Sequence, residues 1–86
     1  MRDSQELHPL TRWRNYHGWT QVELAEASGL SQSHIAAIES YQRIPVRESL
    51  ERLLDVTGLP TDALVRPEHF LAANPNFLRP GRPPKA

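Results

Sequence analysis

Gln21, Gln32, Ser33 and His34 are the side chains best suited by type and spacing to do chemistry, and that chemistry is hydrogen bonding rather than bond-making. An amide offers donors and an acceptor, a hydroxyl one of each, and an imidazole either, so such a run can match a patterned polar surface. The groups that catalysis needs are not assembled in the same way. The four histidines, His8, His17, His34 and His69, lack the spacing of a metal site, and no glycine loop is present to cradle a phosphate. Serine, histidine and glutamate do occur near one another around His34, but a 9.8 kDa chain leaves little pocket about them. No catalytic residue, metal or cofactor is therefore expected, and the function is sought in binding.

Two helix starts position these side chains, the same signal written at Thr20 and again at Ser31. Thr20 followed by Glu23 is the pattern of a capping box, in which hydroxyl and carboxylate each accept a backbone N–H of the other residue. Trp19 and Leu24 flank it as a hydrophobic staple; Ser31 repeats the cap, and Leu30 with Ile35 repeats the staple. Gly29 lies between, able to take the positive φ that ends one helix and aims the next. Helices are expected near 20–28 and 31–39, with Leu24, Ala25, Leu30, Ile35 and Ile38 packed between them. Two short helices joined by a tight turn containing Gly form a helix-turn-helix, the shape that puts a helix into a DNA groove.

The remaining elements read as support. Residues 1–8 show no periodicity and are expected to form a flexible arm. Pro9 suits a first helical position, and Leu10, Trp13, Arg14 and His17 follow at helical spacing until Gly18, predicting a first helix over 9–17. After a loop at 41–44, Pro45 opens a fourth helix with Val46, Leu50, Leu53, Leu54 and Thr57 along one side and Gly58 at its end. A short fifth helix spans 61–65, and 68–73 adds a turn or two before Asn74-Pro75. With no strand pattern, the fold class is all-α: a domain over 9–66, an extension over 67–78, and a tail over 79–86 expected to be disordered alone. Trp13 and Trp19 fall at packing positions. Phe70, Leu71, Phe77 and Leu78 either fold back on the bundle or bury against a second copy.

Charge restricts how such a chain binds anything. Ten basic and ten acidic residues cancel among 86, and there is no cysteine. The tail holds Arg79, Arg82 and Lys85 and no acid, leaving residues 1–78 with seven basic against ten acidic side chains, net −3. Phosphate neutralisation supplies most non-specific affinity for nucleic acid, so a DNA-binding face must be a local patch. The chain has no disulfide framework, no apolar run long enough to span a membrane, and no signal-peptide pattern at its start, so a cytoplasmic or nucleoid-associated location is expected.

The composite pattern resembles the XRE family of helix-turn-helix proteins, the Cro and phage-repressor type. The resemblance runs from about Leu10 to Val65 and is carried by Arg14, Gly18-Trp19-Thr20-Gln21, Glu23-Leu24-Ala25, Gly29-Leu30-Ser31-Gln32-Ser33, Ile35, Ile38-Glu39 and Pro45. It implies a five-helix, lambda-repressor-like DNA-binding domain whose third helix, 31–39, reads the major groove of double-stranded DNA. Gln32, Ser33, His34 and Ala37 would then face base edges, Gln32 suited to adenine and Ala37 to a thymine methyl. Gln21 would hold a phosphate at the start of the second helix, and Tyr41, Arg43 and Arg47 would contact the backbone further on. Arg14 and Glu39 would form the bridge that locks the reading helix to the scaffold. Tyr41 stands where the family commonly has Gly, so either the turn avoids positive φ or Tyr41 bears strain.

The resemblance further implies a transcriptional regulator, most simply a repressor, acting as a homodimer on a two-fold site. The rival reading is an antitoxin-like or adaptor protein whose main contact is a toxin-like partner protein, with autoregulatory DNA binding beside it. No domain for sensing a small molecule is expected. The tail, through Pro80-Gly81-Arg82-Pro83-Pro84-Lys85, resembles the Gly-Arg-Pro core of an AT-hook with Pro80 in place of the customary Arg; Arg82 and Lys85 would seek a narrow minor groove.

Overall fold

Each helix of this chain begins or ends where a local group supplies a cap, and the computed structural model, which describes residues 7–78, shows how. Among those residues six helices follow in order: α1 (Pro9–His17), α2 (Gln21–Ser28), α3 (Gln32–Glu39), α4 (Arg47–Thr57), α5 (Thr61–Val65) and α6 (Pro67–Ala73). No strand occurs among the described residues. Both halves of the capping box form at α2: Glu23 N–H donates to Thr20 Oγ1 at 3.1 Å, and Thr20 N–H to Glu23 Oε1 at 2.8 Å. At α3, His34 N–H donates to Ser31 Oγ at 3.1 Å. Between them Gly29 takes φ +76°. A Cβ there would lie 2.6 Å from Nη1 of Arg52, the flexible end of a side chain from α4 that can move aside, so it is the positive φ that calls for glycine.

The apolar stripes meet in one core. Leu10, Leu24, Ile35, Ile38, Leu53 and Ala63 lose all contact with solvent, and Leu64 nearly all. α2 packs on α3 and α4, α1 on α3 and α5, and α5 on α4 and α6. Burying a Leu or Ile side chain contributes roughly 2 kcal/mol, so Ile35 and Ile38 are what hold α3 to the rest. Trp13 closes the core edge, with Trp19 standing edge-on at 5.3 Å.

Two elements differ from the sequence expectation. His8, placed in the flexible arm, is almost wholly buried, and its Nδ1 accepts the Leu10 N–H at 3.0 Å. An imidazole nitrogen can cap a helix as a carboxylate does, so the ordered chain starts before Pro9. Val46, placed on the apolar side of the fourth helix, is 61% exposed. It is the extended N-cap of α4 rather than part of it, so its side chain leaves the helical period, and Pro45 is buried instead. The extension beyond Arg66 forms α6, the turn or two expected over 68–73 before Asn74-Pro75, and of the two outcomes open to its apolar residues it takes the fold back on the bundle. Leu71 is buried, while Phe70, Phe77 and Leu78 pack partly buried against the chain's own core, the two rings edge-on at 5.0 Å.

Arg12 holds that extension in place. Only 2% exposed, it donates from Nε to the Leu7 carbonyl at 3.2 Å and from Nη1 to the carbonyls of Phe77 at 2.9 Å and Pro75 at 3.4 Å. The tail expectation, Arg82 and Lys85 included, falls outside the described residues.

Candidate nucleic-acid interface

Helical periodicity divides α3 into two faces. Ile35 and Ile38 point into the core, while Gln32 and Ser33 in the first turn are exposed and Ala36 and Ala37 are half-buried. Side chains from α1 and α2 hold the C-terminal end of the helix and reach its first turn only through a long, exposed contact. Arg14 forks onto Glu39, Nε to Oε2 at 2.8 Å and Nη2 to Oε1 at 2.9 Å, and its Nη1 donates to the Trp19 carbonyl at 2.9 Å. Gln21 Nε2 donates to Glu39 Oε1 at 3.0 Å, and Gln32 Nε2 donates to Gln21 Oε1 at 3.4 Å. A polar chain Arg14–Glu39–Gln21–Gln32 therefore links the scaffold to the last and first residues of α3.

The expected site residues fall into three sets. Gln32 and Ser33 lie together and open to solvent, with Gln21 beside them, half-buried and already engaged through both oxygen and nitrogen. Arg43 and Arg47 are exposed; Arg47 is only loosely matched to Glu51, at 3.5 Å with its side chain 90% exposed, a pair that a phosphate displaces at little cost. His34 departs from the first set. It is half-buried, and its Nε2 is shielded from solvent without a hydrogen-bond partner. Position 34 lies one turn before Ile38, on the side that α3 turns inward, so this conformation does not offer Nε2 to a groove.

Tyr41 adopts φ +67°, the left-handed conformation that glycine takes at such a turn. Its N–H donates to the Ile38 carbonyl at 3.1 Å, while Gln42 and Arg43 N–H groups donate to the Ala37 carbonyl at 2.9 and 3.2 Å. Those bonds end α3, and they hold Tyr41 in place despite the unfavourable φ. Its ring lies 5.1 Å from the His8 ring. Burial pushes the His8 pKa down from 6.5 to about 4, with the charge of Glu39 opposing in part. The imidazole is neutral at pH 7, and with Nδ1 accepting from Leu10 its proton sits on Nε2.

Sequence reasoning missed His8, Arg12 and the bond between Gln21 and Glu39. For Arg12 a signal existed, since it sits beside Trp13 and three residues after Pro9, on the side of α1 that is buried. Among the described residues no group of His, Cys, Asp or Glu could hold a metal ion, and no helix is long and apolar enough to cross a membrane. A family model described as helix-turn-helix matches residues 10–64, from Leu10 in α1 to Leu64 in α5. No curated protein and no solved structure matches the chain.

Proposed function

Because the chain belongs to the XRE family of helix-turn-helix DNA-binding transcription regulators, we propose that it is a repressor whose α3 reads the major groove of its operator. The observation that carries this reading is the Arg14–Glu39–Gln21 network that anchors the end of α3 while Gln32 and Ser33 stay exposed in its first turn. A reading helix needs a rigid mount and free polar side chains in its first turn. Gln32 takes an adenine edge, Ser33 a neighbouring base and Ala37 a thymine methyl. Gln21, Arg43 and Arg47 set the register on the phosphates. His34 joins them only after its ring turns outward.

Residues 7–78 carry six basic and eight acidic side chains, net −2. Recognition therefore rests on placed hydrogen bonds more than on a basic field, and Arg82 and Lys85 of the tail add positive charge to it. A short helix touches few bases, so the active form is a homodimer, with two α3 helices in successive major grooves about 34 Å apart.

Protection mapping on the DNA upstream of its own gene tests this reading. Gln32→Ala is expected to relax base preference at one position per half-site, by about 1–3 kcal/mol of discrimination. Arg43→Ala is expected to weaken all sequences alike and lower the salt slope by about one. An unchanged ranking of operator variants for Gln32→Ala would show that α3 is not the reader. No protection, together with tight binding to a neighbouring gene product, would favour the antitoxin-like reading.

A further inference from the structure

The arginines of the bundle are not equally employed. Arg12 donates to backbone carbonyls, and Arg14, Arg47 and Arg52 pair with Glu39, Glu51 and Glu48. Among the described residues, only the guanidiniums of Arg43 and Arg66 have neither hydrogen bond nor ion pair. Both residues line the same cavity, of about 350 Å³, where the loop after α3 meets the junction of α5 and α6.

The rest of the lining is mostly apolar. Ile38 and Leu64 come from the core, and Ile44 is 59% exposed beside the two charges. Tyr41 and His8 line it too, bringing the one strongly left-handed non-glycine backbone near α3 to its wall. Backbone strain of this kind gathers at ligand clamps and switch regions. The only acid in the lining is Glu68, so two arginines outweigh it.

We propose that this cavity binds a small amphipathic carboxylate, an aryl- or short alkyl-carboxylic acid, with its head group held by Arg43 and Arg66 and its apolar part against Ile44 and the half-buried Val65. The volume lies at the small end of ligand pockets, which suits a dozen or so heavy atoms rather than a nucleotide or a folded partner. A guanidinium matches a carboxylate through two parallel hydrogen bonds, and an arginine without an acid partner is free to make them. A bare phosphate would use the arginines but gain nothing from Ile44 and Val65, whereas an uncharged apolar molecule would leave the arginines idle.

Occupation of the cavity would also reach the DNA-binding face. Arg43 is the phosphate clamp assigned above, and Tyr41 and Arg43 belong to the turn that ends α3. A carboxylate that engages Arg43 withdraws it from DNA, so the ligand acts as an inducer. That consequence rests on the DNA-binding reading; the binding itself does not.

The test uses the full chain, ¹⁵N-labelled and free of DNA, titrated with 4-phenylbutyrate and, as its neutral counterpart, 4-phenylbutan-1-ol. Saturable amide shifts confined to residues 41–44, 64–69 and His8 are expected from the carboxylate, with the alcohol binding about fivefold more weakly or worse. Arg66→Gln is expected to weaken the carboxylate about fivefold and leave the affinity for DNA unchanged. Ile44→Ala is expected to weaken both compounds. Absence of shifts at these residues up to about 10 mM, a range covering weak fragment affinity, would overturn the proposal. So would equal affinity for the alcohol, or an Arg66→Gln variant that binds 4-phenylbutyrate as before. Loss of DNA affinity with a lower salt slope in Arg66→Gln would assign Arg66 to the DNA backbone instead.

Discussion

Glu39, the last residue of α3, receives a two-pronged ion pair from Arg14 of α1, at 2.8 and 2.9 Å, with its side chain 6% exposed. The carboxylate also accepts from Gln21. One acidic residue thus joins α1, α2 and α3, beside the buried Ile38 that packs the same end of the helix into the core.

Glu39→Ala is expected to cost about 3 kcal/mol, because removing one partner leaves a largely buried guanidinium with only the Trp19 carbonyl. For a domain of this size that lowers Tm by roughly 10–20 °C. Thermal unfolding followed by circular dichroism measures it, and Glu39→Gln, which keeps a hydrogen-bond acceptor, should fall between the two. A Tm equal to that of the parent would show that the fork does not bear on stability.

Protonation of His8 should make stability depend on pH in a defined direction. Its folded pKa, about 4, lies below the ordinary 6.5 of the unfolded chain. Between those values the unfolded chain holds a proton that the folded one does not. The stability cost of His8 charging on unfolding is therefore absent above pH 6.5, grows as pH drops through the window, and reaches its full size below about pH 4. From pH 7 to 5 the loss is about 2 kcal/mol. His8→Asn keeps a capping acceptor and cannot titrate, so urea midpoints should separate the two proteins at pH 7 and bring them together at pH 5. A slope retained in full by His8→Asn would move the effect to other groups.

The helix-turn-helix was legible in the sequence because its signals are local. A cap acts over three residues, and Thr20 with Glu23, Ser31 and Gly29 all take the roles their chemistry predicts. Arg12 was not legible in this way, because its carbonyl partners Pro75 and Phe77 lie more than sixty residues along the chain. His8 was hidden for a related reason: whether an imidazole beside a proline is a loose arm or a buried cap depends on Tyr41 arriving over it. The departure at Tyr41 was visible, but its backbone conformation was not, since the α3 terminus determines which of two geometries wins. His34 stood in a reading position by sequence, and only the packing of α3 shows its Nε2 turned inward.

Tyr41 is expected to bear strain that glycine would relieve. Comparing Tyr41→Gly with the wild type confuses backbone and ring, because the ring also touches His8. Tyr41→Ala removes the same ring and keeps a Cβ, so the difference between the two variants isolates the backbone. At φ +67° the glycine variant should be more stable by about 1 kcal/mol, even though glycine loses more entropy on folding. Urea denaturation of the pair decides it; an alanine variant equal to or above the glycine variant would mean that this turn relaxes out of the left-handed region.

Arg12 offers the sharpest separation between local and global stability. Its guanidinium gives hydrogen bonds to carbonyls at both ends of the described chain, Leu7 on one side and Pro75 and Phe77 on the other. Arg12→Met keeps the length and the apolar stem but leaves those carbonyls without their donor, at about 1–3 kcal/mol for each group that stays buried. The cost is met locally if residues 74–78 detach and rehydrate, since Phe70 and Phe77 are only partly buried. Amide exchange at Phe77, whose N–H donates to the Asn74 carbonyl, should therefore accelerate at least tenfold, while exchange in the middle of α2 and α3 changes far less. Arg12→Lys should rescue poorly, because an ammonium cannot span carbonyls that a planar guanidinium reaches from separate nitrogens. Equal acceleration everywhere would instead make Arg12 part of the cooperative core.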